Sequence, residues 1–141
     1  MTDDFHGAKL AILSGERIVV ILRDDIPTIP WPGHWDLPGG GREPGETPEE
    51  TVLRETEEEI GVRFQREDLI WRAKSPSPPN HVWFFVTEQL AFDPNVITFG
   101  NEGQKWAFEP IDWYLGHPKN IPSQTARLAE YLKSRPARYQ S

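Results

Sequence analysis

Residues 47–61 leave the chain little choice but an α-helix. Thr47 supplies a side-chain oxygen for the N-cap, Pro48 suits the first helical position, and Glu50, three residues past the cap, completes a capping box. The same pattern predicts that the helix runs to about Ile60 and stops at Gly61, where a left-handed backbone is inexpensive. Just upstream, Trp35-Asp36-Leu37-Pro38-Gly39-Gly40-Gly41 reads as a short strand entering a glycine turn, a backbone able to approach a ligand closely.

At about 100° per residue the helix divides into stripes. With Glu55 at zero, Glu59 falls near +40°, Glu58 near −60°, and Val52, Leu53, Thr56 and Ile60 between roughly +60° and +160°, so carboxylates flank the apolar face. Residues 42–63 hold eight glutamates against three arginines, a balance of −5. Like charges at i, i+4 cost a few tenths of a kcal/mol even in solvent, or about that order. A hard divalent cation such as magnesium or manganese would reverse the repulsion; a solvated acidic face is the other reading of such a run.

Around this helix the pattern predicts a β-hairpin from the apolar runs at 8–13 and 17–22 and a proline-rich loop at 24–34. Strands follow at 62–73, 81–92 and 104–109, the first two separated by a turn at 75–80, and an amphipathic helix begins near Ser123. Strands interleaved with helices predict an α/β layered domain with a central mixed sheet, and 141 residues suit one domain spanning 1–141.

The net charge of −7 argues against a nucleic-acid polymer as partner, since that requires a basic face. No apolar run approaches the roughly 20 residues that span a bilayer, and the chain opens on Thr2, Asp3 and Asp4 rather than a basic and apolar leader, so a soluble cytoplasmic protein is expected. With no cysteine, any metal must bind through oxygen or histidine nitrogen; His6, His34, His81 and His117 show no ligand spacing. Monomer and homodimer are equally compatible with these features.

Gly40, five residues, Glu46, seven residues, then Arg54-Glu55-Thr56-Glu57-Glu58-Glu59-Ile60-Gly61-Val62 resembles the Nudix hydrolase signature, matching eight of its nine fixed positions. The exception is Thr56, where the family carries an aliphatic residue; its hydroxyl is expected to bond the Val52 carbonyl. The resemblance implies an α/β/α sandwich and metal-dependent hydrolysis of a diphosphate bond in a small nucleotide-like substrate. It assigns Glu55, Glu58 and Glu59 to magnesium or manganese, helped by the Gly40 carbonyl or a neighbour. Arg54 and Glu46 would orient the cluster, with Gly40 and Gly61 as fixed points of the motif.

Asn101-Glu102-Gly103-Gln104, followed by Trp106, is similar to a segment of the mutator-type branch that adds a further metal-linked glutamate, which makes Glu102 the candidate base; Glu109 and Glu88 are alternatives. In that branch, which hydrolyses damaged nucleoside triphosphates to monophosphate and pyrophosphate, Arg23 falls where phosphate is bound, Leu37 where the backbone meets the base, and Asn120 where an amide reads the base. Trp31, Trp35 and Trp83 are candidate stacking surfaces. Pro78, about 16 residues past the box, instead resembles the ADP-ribose branch, and dinucleoside polyphosphates, sugar nucleotides and a non-catalytic nucleotide sensor remain alternatives.

Overall fold

Both hairpin strands are almost continuously apolar, as expected of strands covered on both faces, and they lie at the centre of the computed structural model. The structure describes residues 4–140; Thr2 and Asp3 lie outside the described residues. β1 (Gly7–Ser14) pairs antiparallel with β2 (Arg17–Leu22) and parallel with β6 (Asn80–Glu88), so the sheet is mixed. Along it run β3 (Trp35–Asp36), β2, β1, β6 and β5 (Trp71–Ser77), while β4 (Gly39–Gly41) joins β1 and β7 (Lys105–Pro110) joins β2.

Helix α1 (Pro48–Ile60) covers one face, burying Val52 and Ile60 against Leu10, Ile12, Val19 and Phe85. The other face is covered by α2 (Ile111–Leu115) and α3 (Pro122–Leu132), which bring Ile111, Tyr114, Leu128 and Tyr131 onto Ala11, Val20 and Phe84. The result is the expected α/β/α sandwich. Among the described residues no helix is long and apolar enough to cross a membrane.

The capping box forms as the sequence requires: Glu50 N–H donates to Thr47 Oγ1 at 3.2 Å, Thr47 N–H donates to Glu50 Oε1 at 2.8 Å, and Gly61 closes the helix at φ 70°. Elsewhere the boundaries move. The glycine triplet is not a turn but strand β4, because without Cβ atoms it can lie directly against β1. Residues 62–70 are loop and a 3-10 turn rather than strand, and β5 runs on through Ser75-Pro76-Ser77 at the sheet edge, where a proline sacrifices no ladder bond. The turn shrinks to Pro78-Pro79, and β6 ends at Glu88 rather than continuing to 92.

Thr56 does not make the expected bond to Val52. Its hydroxyl is buried and has no hydrogen-bond partner among the described residues. Thr56→Val is therefore expected to raise unfolding free energy by about 1–3 kcal/mol, the cost of an unsatisfied buried hydroxyl, measurable by urea unfolding at unchanged m-value.

Candidate active site

The site begins where β4 brings three glycines beneath α1. Gly39 adopts φ 132°, and a Cβ there would strike the Ala8 carbonyl; a Cβ on Gly40 would strike the Glu55 carboxylate. The glycines thus let carboxylates from α1 descend onto backbone, and the Gly39 N–H donates to Glu59 Oε1 at 2.6 Å. Gly40's own carbonyl packs against Gly7, where a side chain would collide with it.

Arg54 ties this cluster together. Its Nε and Nη2 form a two-pronged contact with Glu46 at 2.7 and 2.9 Å, Nη2 also donates to the Gly41 carbonyl at 2.9 Å, and Nη1 donates to Glu55 Oε2 at 2.7 Å and to Glu58 at 3.2 Å. Such a fork fixes geometry in a way an ammonium cannot. Glu46 receives, in addition, the Thr51 hydroxyl and the Glu43 N–H, so one carboxylate pins loop, helix and arginine.

The bonds from Arg54 hold Glu46 down to a pKa of about 2, against the burial that would raise it. A carboxyl with a depressed folded-state pKa stabilises the fold above its unfolded value and loses that contribution as pH falls toward the folded one. Arg54→Ala should accordingly lose stability at neutral pH and show a smaller further loss than the wild type between about pH 4.5 and 2. Acid titration followed by circular dichroism checks this; parallel curves for both proteins would sink it.

Two of the helix carboxylates, Glu55 and Glu59, show the opposite tendency. Burial is the chief cause that raises the Glu55 pKa, and its hydrogen-bonding proximity to Glu58 adds to the rise, with Arg54 opposing. Glu59 is raised to about 7, again mainly by burial, with Asp36 and Glu55 adding repulsion and Lys9 and the Gly39 amide opposing it. The cluster is therefore short of positive charge. An all-oxygen donor set with excess negative charge fits a hard divalent cation. Among the described residues no three Asp, Glu or His side chains already converge at ligation distance, as the carboxylates are engaged by Arg54 and Gly39. Glu55, Glu58 and Glu59 would turn from those partners to hold the ion.

Three cavities surround them. One of about 210 Å³ is lined by Glu55, Glu58, Glu59, Asn101 and Glu102, so the predicted loop glutamate does join the helix carboxylates. A second of about 290 Å³ carries Glu59 and Glu102 on to Arg23 and Asp36. Arg23 and Asp36 also line a third of about 550 Å³, whose other walls include Pro30, Trp31, Phe84, Ile121 and Gln124. A carboxylate-lined end thus leads past a charged junction into a wider, more apolar chamber.

The junction was not foreseen. Asp36 is buried and accepts from Lys9 Nζ at 2.9 Å, Arg23 Nη1 at 2.9 Å, Gln124 Nε2 at 2.6 Å and the Leu37 N–H at 2.7 Å. Burial would raise its pKa, but Lys9, Gln124 and Arg23 together outweigh that and hold it below the usual carboxylate value. Arg23 also donates from Nε to the Pro30 carbonyl at 2.9 Å, fastening the loop that carries Trp31.

Several predicted residues have other employment. Leu37 is buried, its N–H donating to Asp36 at 2.7 Å and its carbonyl accepting from Lys9 at 3.4 Å. Asn120 spends its Nδ2 on the carbonyls of Tyr114 and Leu115 at 3.0 Å each, capping the end of α2, and lines none of the three cavities. Trp35 packs in the core edge-on to Trp113, while Trp83 lines the chamber with its ring stacked on Phe85 and with Arg72 and Lys74 at 5.3 and 5.2 Å. Trp31, 46% exposed at φ 52°, is the candidate stacking residue that reaches the chamber with its surface open. Glu88 is bound to Arg135 at 2.7 Å and Tyr131 at 2.6 Å, away from the cluster, and Glu109 faces Ile18 across β2 and β7. His34 bonds the Pro32 carbonyl and His117 the Lys119 N–H, which are loop roles.

The site is thus a capped helix of carboxylates laid over a glycine strand, with an arginine fork at its root. The NUDIX domain model matches residues 5–132, and the chain belongs to that family. It is 38% identical over 80 residues to the 8-oxo-dGTP diphosphatase of Escherichia coli K12, an alignment spanning 55% of this chain and 55% of the relative; the chain thus matches about half the length of that curated relative. In fold it is similar to a MutT protein from Methanosarcina mazei, with TM-score 0.73 and 18% identity over 95% of this chain and 97% of that one. It is likewise similar to a bifunctional NMN adenylyltransferase/ADP ribose pyrophosphatase from Francisella tularensis, solved with AMP and a manganese ion, with TM-score 0.72 and 18% identity over 94% of this chain and 42% of that one.

Proposed function

We propose that residues 1–141 form one Nudix hydrolase domain that hydrolyses a nucleoside triphosphate to the monophosphate and pyrophosphate in the presence of magnesium or manganese. The observation that carries this reading is that neighbouring cavities share their walls: Glu59 and Glu102 line both the carboxylate cavity and the next, and Arg23 and Asp36 line both that one and a chamber of about 550 Å³, large enough for a nucleoside. The likeness to the 8-oxo-dGTP diphosphatase supports a damaged purine triphosphate as substrate.

Glu55, Glu58, Glu59 and Glu102 would hold the divalent cation, which when bound lowers the pKa of a water and neutralises phosphate charge. Arg54 keeps the helix carboxylates in place through Glu46. Arg23 and Lys9 supply the positive charge that meets phosphate at the junction, while Asp36 holds both in position. Glu102, which lines the same cavity as the α1 carboxylates, accepts the proton from the attacking water. The water oxygen bonds to phosphorus, the P–O–P bridge breaks, and the pyrophosphate oxygen carries the electron pair away.

A second reading, ADP-ribose hydrolysis, is favoured by Pro78, which lines the same chamber. Incubation with magnesium and a panel of oxidised dGTP, dGTP, dATP and ADP-ribose, with products separated by ion-exchange chromatography, separates the two. Pyrophosphate plus nucleoside monophosphate is the expected result. Exclusive cleavage of ADP-ribose to AMP and ribose phosphate replaces the first reading with the second, and nucleotide binding without turnover would leave a sensor.

A further inference from the structure

Of the α3 residues that line the chamber, Gln124 carries an amide, and the fold holds that amide at both ends. Gln124 is 7% exposed, lies in the chamber wall, donates from Nε2 to Asp36 Oδ1 at 2.6 Å, and accepts at Oε1 from the Tyr114 hydroxyl at 2.9 Å. An ionised carboxylate can only accept, so the nitrogen of the amide must face Asp36. A free glutamine can turn its amide over and offer donor and acceptor in either order; Gln124, pinned at both ends, offers them in one order.

Each pin uses half of the group it holds. One N–H and one carbonyl lone pair remain, a donor beside an acceptor. The donor end lies at Asp36, whose other oxygen holds Lys9 Nζ and Arg23 Nη1, both also lining the chamber. That end is rich in donors, and a ligand atom placed there must accept. The Oε1 end requires a ligand N–H.

We propose, on the nucleotide reading above, that Gln124 is the specificity-determining residue of the chamber and selects a base with a carbonyl beside a ring N–H over one with an amino group beside a bare ring nitrogen. The first class is the lactam edge of 6-oxopurines, uracil and thymine; the second is the edge of adenine and cytosine, which would set donor against donor and acceptor against acceptor. Tyr114 and Asp36 are positioning residues. Asn120, four residues earlier, cannot do this because its amide hydrogens are committed to α2.

Inosine and adenosine 5′-monophosphates differ in this edge alone and make the test. Their dissociation constants are measured by tryptophan fluorescence with magnesium present, on the wild type, Gln124→Met and Tyr114→Phe, each first shown by thermal melting to be folded. The wild type is expected to bind the inosine nucleotide about tenfold to a hundredfold more tightly, the discrimination of one good bidentate base contact. Gln124→Met should bring the ratio near one. Tyr114→Phe, which removes one oxygen that touches no ligand and frees the amide to turn, should bring it at least halfway there on a logarithmic scale, an effect a merely structural tyrosine would not have. An unchanged ratio in the folded variants, or a wild type that prefers adenosine or neither, overturns the role of Gln124 alone. Failure of the wild type to bind either nucleotide overturns the nucleotide reading with it.

Discussion

Glu59→Gln is expected to lower kcat/KM by roughly a thousandfold, because a carboxylate ligand contributing several kcal/mol of charge stabilisation would be lost. The fold should not share that loss. Without metal, Glu59 is a buried acid whose pKa is raised to about 7 by burial, Asp36 and Glu55. An acid with a raised folded-state pKa favours folding in its neutral form, and that contribution is lost as pH rises through the folded value. The metal-free variant should therefore melt higher than the wild type at pH 8 and draw level with it below the unfolded value of 4.5, at about pH 4. Kinetics beside melting curves at the two pH values measure both halves, and a variant that loses stability and activity together at pH 8 would make Glu59 a structural residue.

Metal removal is expected to have the largest effect of all, taking hydrolysis below detection in excess chelator and restoring it on addition of magnesium or manganese. The reason is electrostatic: a polyphosphate approaching Glu55, Glu58, Glu59 and Glu102 meets net like charge, and the cations at hand are already engaged, Arg54 by Glu46, Glu55 and Glu58, and Lys9 and Arg23 by Asp36. Affinity for the triphosphate should fall with activity, which equilibrium binding in chelator can follow. Turnover that survives chelation would remove the carboxylate cluster from the mechanism.

The parts of the molecule that were legible in the sequence are those specified locally. Thr47, Pro48, Glu50 and Gly61 act within a single helix, and α1 begins and ends where they place it. The Arg54 and Glu46 pair, which the resemblance implied, lies within one motif and makes its two-pronged contact. Asp36 was illegible because its partners come from everywhere else: Lys9 is 27 residues before it and Gln124 88 residues after. The part Asn120 plays in the fold was hidden for the converse reason, since a turn asparagine that caps a five-residue helix has the same sequence signature as one that reads a base, and α2 itself is too short to announce a period. Likewise the alternation over 62–70 resembled a strand, but with β5 already at the sheet edge these residues run as loop and 3-10 turn.

The central claim is that the α1 carboxylates, short of positive charge in the protein alone, form a divalent-metal site. Titration of manganese into the protein, with free ion counted by electron paramagnetic resonance, tests it without any substrate. The wild type should bind manganese saturably, and Glu55→Gln, Glu58→Gln and Glu59→Gln should each weaken that binding by about tenfold or more, with magnesium competing. Equal affinity in the wild type and all three variants would contradict the account.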